Sequence, residues 1–378
     1  MTKVQLLNGV ISSVVTRFVR LTAGGNRQMH RHGALALLFS AVLLLALVTV
    51  GSTLAVAQFV GPTPLTLTNG WINYSSGTSL ATVEQVTGIV QLRGAISTSG
   101  TNPVPFTLPA GFRPATAVYV PVDLCNATKG RLFIQTSGVV TVQAEGGTFS
   151  NAQCFTSLDG ASFAPQATGF TPLTLVNGWL NAPFSTSNAE AQKINGIVHF
   201  KGAISSGTTG AFTTLPAPFR PATDVYVPVD LCNATNGRIH IVPSGVVDVE
   251  AEGGTFSNAQ CFTSLDGAWF AIAPSAFQAL TLLNGWTNSP FSTTKAQAGG
   301  NYGIVFFRGA IASGTAAASF VLPLTLRPVT TVYVHVDMCD ATNGRLIIGS
   351  NGVVNVQAET TFTNAQCFTS LDGVSFVQ

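Results

Sequence analysis

The chain has 378 residues, of which 46% are hydrophobic and only 8% are charged, so it is too apolar for a disordered protein and long enough for two or three domains. Its formal charge of +2 hides an asymmetry: residues 1–57 carry five cations and no acid, whereas residues 58–378 carry 12 basic and 15 acidic residues. No basic face remains for a nucleic acid, and we expect no nucleic-acid partner.

The first predicted element is an uncharged apolar run at residues 34–50, which follows all five early cations. The run is long enough to enter a bilayer, and cations before it stay on the cytoplasmic side. Small residues at Ala55 and Ala57 match the positions that a signal peptidase reads. We predict that residues 1–57 are a basic leader with a signal peptide cleaved after Ala57 or, alternatively, an uncleaved signal anchor. Residues 58–378 are then secreted or held on the extracellular face of the membrane, which the chain contacts only through its N-terminal segment.

The rest of the chain repeats itself with a period near 107 residues. The block at residues 65–71 returns at 173–179 and 280–286, and the block at 152–160 returns from Ala259 and Ala365. This period is domain-sized and too long for a solenoid repeat. We predict three modules, namely module 1 at residues 63–164, module 2 at 171–272 and module 3 at 278–378, joined by short Pro- and Gly-containing stretches.

Apolar residues inside a module alternate with period two. Val118, Val120 and Val122 share one face of an extended segment, and Pro121 places that segment at a sheet edge or a bulge. The β-rich runs at residues 131–135 and 139–143 flank a turn and predict a hairpin. The predicted fold class is all-β, with three tandem antiparallel β-sandwich or jelly-roll modules after an N-terminal hydrophobic helix.

The cysteines occur two per module and are separated by 28 or 29 residues. The repeat favours one disulfide inside each module, closing a loop of about 30 residues. The spacing fits neither a zinc site nor a redox pair, so we predict no metal and no cofactor. The six predicted disulfide cysteines are Cys125, Cys154, Cys232, Cys261, Cys339 and Cys367.

No set of residues predicts catalysis. Each histidine of the modules occurs in one copy only, and the recurring acids, such as Asp123, Glu145 and Asp159, are typical of turns and local ion pairs. We therefore predict no catalytic residue and no enzyme.

Two recurring residue types are candidates for ligand binding. A tryptophan that follows each Asn-Gly pair could stack on a sugar ring, although a tryptophan near the first strand of a module is more often part of the core. An arginine that precedes a proline in each copy could contact an anion or a sugar acid, although a solvated strand face or a local ion pair explains it better. The candidates are Trp71, Trp179 and Trp286, with Arg113, Arg220 and Arg327.

The order of motifs in the latter two-thirds of each module resembles a known family. Residues 108–114, 130–134, 137–142 and 157–163 of module 1 carry the likeness. They are similar to the terminal β-modules of phage tail fibres and minor tail proteins, of the receptor-binding type. The resemblance implies a β-sandwich used for attachment, often in trimers, with ligands held by loops. The chain departs from that family in its export leader, its paired cysteines and its three copies in one polypeptide.

These observations predict an exported, non-enzymatic surface or secreted binding or adhesion protein. Its partner would be a cell-surface glycan or protein receptor, held by loops that differ between copies, such as residues 78–86 against 186–194 and 97–105 against 205–213. The three modules could stand apart as beads, close into an intramolecular pseudo-trimer or form a homo-oligomer. The alternatives are a structural cell-envelope or matrix component and, less favoured, a secreted hydrolase.

Overall fold

The computed structural model describes residues 59–272 and 277–378. The predicted leader and hydrophobic helix lie outside the described residues. Those residues form short strands, three six-residue helices and several 3₁₀ turns, so the all-β prediction is confirmed. None of the helices in the described ranges has the length and apolar character that crossing a membrane requires.

Module 1 contains ten strands and one helix. Helix α1 (Phe149–Cys154) follows the eighth strand, and a 3₁₀ turn (Cys125–Ala127) follows the sixth. The strands are β1 (Val60–Pro64), β2 (Trp71–Asn73), β3 (Thr82–Val86), β4 (Ile89–Arg93), β5 (Ala95–Thr98), β6 (Val118–Asp123), β7 (Lys129–Ile134), β8 (Val140–Ala144), β9 (Thr156–Ser157) and β10 (Ser162–Phe163).

Modules 2 and 3 repeat this order with one strand more each, and contain helices α2 (Phe256–Cys261) and α3 (Phe362–Cys367). Module 2 has β11 (Thr171–Pro172), β12 (Leu180–Asn181), β13 (Glu190–Ile194), β14 (Ile197–Lys201), β15 (Ala203–Ser205), β16 (Ala211–Thr214), β17 (Val225–Asp230), β18 (Asn236–Ile241), β19 (Val246–Ala251), β20 (Thr263–Ser264) and β21 (Trp269–Ala271). Module 3 has β22 (Gln278–Ala279), β23 (Thr287–Asn288), β24 (Gln297–Asn301), β25 (Ile304–Arg308), β26 (Ala310–Ala312), β27 (Ala318–Val321), β28 (Val332–Asp337), β29 (Asn343–Ile348), β30 (Val353–Ala358), β31 (Thr369–Ser370) and β32 (Ser375–Val377).

Each module folds into three antiparallel sheets around one apolar core. In module 1 the sheets have the strand orders β1-β3-β4-β10, β2-β5-β9 and β6-β7-β8. The valines of β6 are buried while Tyr119 and Pro121 between them are partly exposed, as period-two alternation requires. Strand β6 pairs only with β7, so Pro121 lies at a sheet edge where its missing N–H breaks no ladder.

One disulfide closes each module. The bonds join Cys125 to Cys154, Cys232 to Cys261 and Cys339 to Cys367, each with Cα atoms 5.7 Å apart. Each bond ties the 3₁₀ turn after the edge strand to the last residue of the short helix. A helix of six residues has little stability of its own, so the disulfide holds it in place on the sheet.

The edge strands of the three modules meet one another. Strands β6, β17 and β28 each contact the other two. An exposed strand edge invites pairing with other chains, and here each edge is covered by neighbouring modules of the same chain. A separate apolar cluster contains residues of all three modules, namely Val86, Ile197, Trp269, Ala271, Ile304 and Phe306.

The contacts between modules run in one direction and close a ring. We call the contacts of module 1 with 2, module 2 with 3 and module 3 with 1 the first, second and third junctions. In each junction an arginine of the earlier-named module pairs with an aspartate of the later-named one. The pairs are Arg131 with Asp230 at 2.9 Å, Arg238 with Asp337 at 3.2 Å and Arg345 with Asp123 at 3.1 Å.

Two hydrogen bonds to backbone carbonyls repeat with the same cyclic order. A serine hydroxyl donates to a tyrosine carbonyl oxygen at 2.6 Å in each junction, from Ser264 to Tyr119, Ser370 to Tyr226 and Ser157 to Tyr333. A backbone N–H of one module donates to a carbonyl of the next, from Ala117 to Ser185, Asp224 to Ser292 and Thr331 to Gly77. The same contacts made three times around one ring describe an intramolecular pseudo-threefold arrangement.

Candidate functional site at the module junctions

The tryptophans named by the sequence lie in the cores of their modules. Trp71, Trp179 and Trp286 are 3–5% exposed. Each indole N–H donates to a backbone carbonyl of its own module, that of Asn102, Thr209 or Ala316. The burial of each ring and its bonded N–H place these side chains in structural positions.

The arginines predicted from the sequence as ligand-binding candidates each stabilise a turn of their own module. The Nε atoms of Arg113, Arg220 and Arg327 donate to the carbonyls of Leu108, Leu215 and Leu322 at 2.9–3.0 Å. A glycine packs against each arginine so closely that a Cβ there would collide with it, as at Gly138 beside Arg113. The structure does not bring these arginines together with the tryptophans.

The segments predicted as variable ligand loops are only partly loops. Residues 82–86 and 190–194 form β3 and β13, which pair along their length with β4 and β14. The chain just before β3 and β13 lies at a junction, because Gly77 and Ser185 accept backbone hydrogen bonds from neighbouring modules.

The recurring acids have structural partners. Asp159, Asp266 and Asp372 accept hydrogen bonds from the backbone N–H of Gly94, Gly202 and Gly309. Burial raises the pKa of Asp159 and Asp372 to about 7 and that of Asp266 to about 6. Asp123, Asp230 and Asp337 form the ion pairs that join the modules.

The junctions gather aromatic rings around each paired arginine. In the first junction the guanidinium of Arg131 lies 5.0 Å from the centre of the Tyr119 ring, and the edge of Phe262 meets that ring at 4.9 Å. The second junction repeats this with Arg238, Tyr226 and Phe368, and the third with Arg345, Tyr333 and Phe155. A guanidinium above an aromatic face adds cation–π attraction to its ion pair.

A further aromatic ring from the later-named module stands beside each group. Phe184 lies 5.6 Å from Phe262, Phe291 lies 5.5 Å from Phe368 and Tyr74 lies 4.9 Å from Phe155. Phe184 and Phe291 are 61% and 59% exposed. Large apolar rings held in solvent next to other aromatic rings are typical of binding surfaces.

The backbone that presents these phenylalanines is strained. Phe184 has φ of 53°, and its neighbours Ala182 and Ser185 also have positive φ. The equivalent stretch around Phe291 repeats this at Ser289 and Ser292. Each non-glycine residue in this region costs about 1 kcal/mol or more, and such strain gathers at ligand clamps and other functional sites.

Two junctions contain an open recess beneath these rings. The first has a volume of about 150 Å³ and is lined by Tyr119, Arg131, Phe184, Cys232, Asn233 and Phe262. The second is about 80 Å³ and is lined by Tyr226, Arg238, Phe291, Cys339, Asp340 and Phe368. A larger recess of about 490 Å³ adjoins the first and shares Arg131 and Asn233 with it. Of the three, only this larger recess exceeds the volume of about 300 Å³ at which small-ligand pockets begin, so the two smaller ones accept only a part of a ligand that lies across their rims.

The charges beside the recesses differ between junctions. Glu250 and Asp340 lie only in the second junction, where the other modules have glutamine and asparagine, and Lys129 lies only in the first. Lys129, which Asn236 and Asn343 replace in the other modules, is fully buried and its ammonium pairs with Asp230. Burial lowers the pKa of Lys129, and the neighbouring Asp230 opposes that effect. Burial raises the pKa of Asp123 and Asp337 to about 7, although Arg345 and Arg238 counteract it.

Three glutamates meet where the modules converge. Burial and mutual repulsion raise the pKa of Glu252 to about 8 and that of Glu359 to about 7, and burial raises the pKa of Glu145. The carboxylate of Glu145 accepts a hydrogen bond from the backbone N–H of Asn236 in the next module. In the described ranges no cluster of His, Cys, Asp and Glu is arranged to hold a metal ion.

Sequence reasoning missed the junction site because its residues come from different modules. Tyr119 and Phe262 are 143 positions apart, and nothing in the chain says which module packs against which. The sequence did contain a signal of the site, because a tyrosine, an arginine and a phenylalanine recur at the same positions of every module. They are Tyr119, Arg131 and Phe155 in module 1, Tyr226, Arg238 and Phe262 in module 2, and Tyr333, Arg345 and Phe368 in module 3. Comparison of the chain with protein-family models, with curated proteins and with solved structures gave no match, so its function is argued from this geometry.

Proposed function

We propose that the chain is an extracellular binding or adhesion protein whose junction sites hold a carbohydrate. The observation that carries this proposal is the pair of exposed phenylalanines, Phe184 and Phe291, held by strained backbone at the rim of two recesses of similar composition. A core or a covered interface gives no reason to keep these rings in solvent.

The recesses offer what a sugar ring requires. An aromatic face packs against the apolar C–H face of a sugar, while amide and guanidinium groups serve its hydroxyls. The first recess places Asn233 and Arg131 beside Phe184 and Tyr119. Arg238 of the second recess already pairs with Asp337 and Glu250, so we expect a neutral sugar rather than an acidic one there.

The repetition of the site supports a role in attachment. One chain carries the sites at fixed mutual positions, so weak binding at each adds to avidity when the target is a dense surface. The resemblance to attachment modules of phage tail fibres points the same way. We propose that export places the modules outside the cytosol, where their three disulfides are stable.

The test is a glycan array together with adhesion to glycan-bearing surfaces. We compare the native protein with the double variant Phe184→Ala/Phe291→Ala and with the control Tyr302→Ala. Tyr302 is also an exposed aromatic residue with positive φ, at 54% exposure, but lies in the hairpin between β24 and β25 away from the recesses.

We expect at least a tenfold loss of binding for the double variant and none for the control. Equal binding by the double variant and the native protein would place the ligand elsewhere. Failure of the native protein to bind any glycan or surface, combined with its assembly into large oligomers, would favour a structural envelope component instead.

A further inference from the structure

A buried lysine distinguishes the first junction from the other two. In the first junction the ammonium of Lys129 pairs with Asp230 Oδ1 and donates to the carbonyl oxygens of Ala234 and Thr235 at 3.0 and 3.2 Å. The other oxygen of Asp230 accepts from Arg131. Both oxygens of this fully buried carboxylate therefore meet a positive charge.

The corresponding carboxylates have one partnered oxygen each. Asp337 and Asp123 are fully buried, and their Oδ2 atoms accept from Arg238 and Arg345. Their Oδ1 atoms have no hydrogen-bond partner in the part of the chain that the structure describes. Unpaired oxygen on a buried carboxylate is costly, and such atoms in native proteins usually meet an ion or an ordered water.

The residues that replace Lys129 do not reach these oxygens. Asn236 donates instead to the carbonyl of Ala341 at 2.7 Å, and Asn343 donates to the carbonyl of Ala127. These carbonyls correspond to that of Ala234 in the first junction. The set of oxygens that holds the ammonium of Lys129 is thus repeated twice without its lysine.

Acidic groups outnumber basic groups where the modules meet. Seven acidic groups converge there, namely Asp123, Asp230, Asp337, Glu145, Glu250, Glu252 and Glu359. Four basic groups face them, namely Lys129, Arg131, Arg238 and Arg345. The surroundings of the second and third junctions therefore favour a bound cation.

We propose that the second and third junctions each bind one monovalent cation, such as K⁺, Na⁺ or NH₄⁺, beside Asp337 and Asp123. Carboxylate and carbonyl oxygens are suited to such ions, since they replace the oxygens of the hydration shell. The Lys129 ammonium in the first junction demonstrates that a positive charge is accommodated at this place in the fold. A single carboxylate oxygen at each position matches one positive charge and is too few for a divalent ion.

The direct test is a crystal of the mature protein soaked in Tl⁺ or Rb⁺. We expect anomalous density beside Asp337 and Asp123 and none beside Asp230, which serves as an internal control in the same molecule. Absence of density at both positions, or density only among the three glutamates, would overturn the proposal.

Thermal unfolding provides the second test, with chloride salts of K⁺ and of the bulky cation choline compared at equal ionic strength. We expect K⁺ at 150 mM to raise the unfolding midpoint by about 2–5 °C, as two sites with dissociation constants of about 10–50 mM give. In the variant Asn236→Lys/Asn343→Lys the added ammonium groups replace the ions, and the K⁺ dependence disappears. Conversely, Lys129→Asn makes the first junction like the others and adds a third peak to the anomalous map. A native protein equally stable in both salts would contradict the assignment.

Discussion

The ion pair between Lys129 and Asp230 supports the first prediction, a double-mutant cycle across the first junction. Both side chains are fully buried, so Asp230→Asn leaves the ammonium of Lys129 in the interior without a countercharge and with only uncharged oxygens as partners. Breaking a buried ion pair by removing one partner typically costs about 3–5 kcal/mol. The variant also frees Arg131, which is partly exposed and retains the ring of Tyr119.

We expect the substitution of Lys129 to destabilise the protein much less than the substitution of Asp230. Lys129→Asn leaves Asp230 paired with Arg131, which is the arrangement that Asp337 and Asp123 have with one arginine each. We expect a loss of about 1 kcal/mol, within the range of ordinary single substitutions. The double variant Lys129→Asn/Asp230→Asn removes both buried charges, and its loss should be smaller than that of Asp230→Asn alone.

The assay is urea unfolding of the four proteins, followed by tryptophan fluorescence at pH 7 and constant salt. The predicted coupling energy between the two positions is about 2 kcal/mol or more. Asp337→Asn is the matched control, since Arg238 keeps Glu250 and the carbonyl of Met338 as partners. Additive losses for Lys129→Asn and Asp230→Asn would refute the claim that the two charges depend on each other.

Three further predictions concern pH, the disulfides and a core glycine. The raised pKa values of Asp123, Asp337 and Glu252, about 7, 7 and 8, mean that the folded state holds protons that the unfolded chain has lost above about pH 4.5, so stability should fall as pH rises from 6 to 8. His335, whose pKa burial lowers to about 3, acts oppositely below about pH 6.5, but it offsets only one of these three protons. Calorimetry should therefore find an unfolding midpoint that falls from about pH 5 to 8, and a midpoint that rises steadily from pH 6 to 8 would contradict the burial of these acids. Replacing Cys232 and Cys261 together by alanine should lower the free energy of unfolding in urea titrations by about 3–4 kcal/mol, as expected for a disulfide that closes a loop of about 30 residues. An unchanged free energy would show that the disulfide does not restrict the unfolded chain. Gly207→Ala places a methyl group against the ring of Trp179, so it should lower the free energy of unfolding by about 1–3 kcal/mol and shift the tryptophan emission. Gly111→Ala, which has open space around it, should change neither the stability nor the emission.

The fold class was accessible from the sequence because its signals are local. Alternation at Val118, Val120 and Val122 reports a strand with one buried face, and Pro121 reports an edge. The equal spacing of the cysteines reduced the possible pairings to one per module, which is the pairing in the structure. Local chemistry sufficed for each of these inferences.

The site was not accessible because it depends on how modules pack. Nothing local distinguishes Arg131, which crosses to Asp230 in another module, from Arg113, which stays on the carbonyl of Leu108. Trp179 was a candidate because an exposed indole ring can stack on a sugar, and its burial in the structure places it in the core, the position that the sequence favoured. The exposed ring belongs instead to Phe184, which lies just before the variable segment at residues 186–194.

Small-angle X-ray scattering on the mature chain tests the central claim, the closed ring of three modules that forms the junction sites. A single compact body of about 320 residues has a radius of gyration of about 20 Å, whereas three separate modules of about 100 residues in a row give about 30 Å. The ring predicts the lower value, unchanged by dilution. A value near 30 Å would mean that the modules stand apart, and the junction sites and the cation sites would not exist.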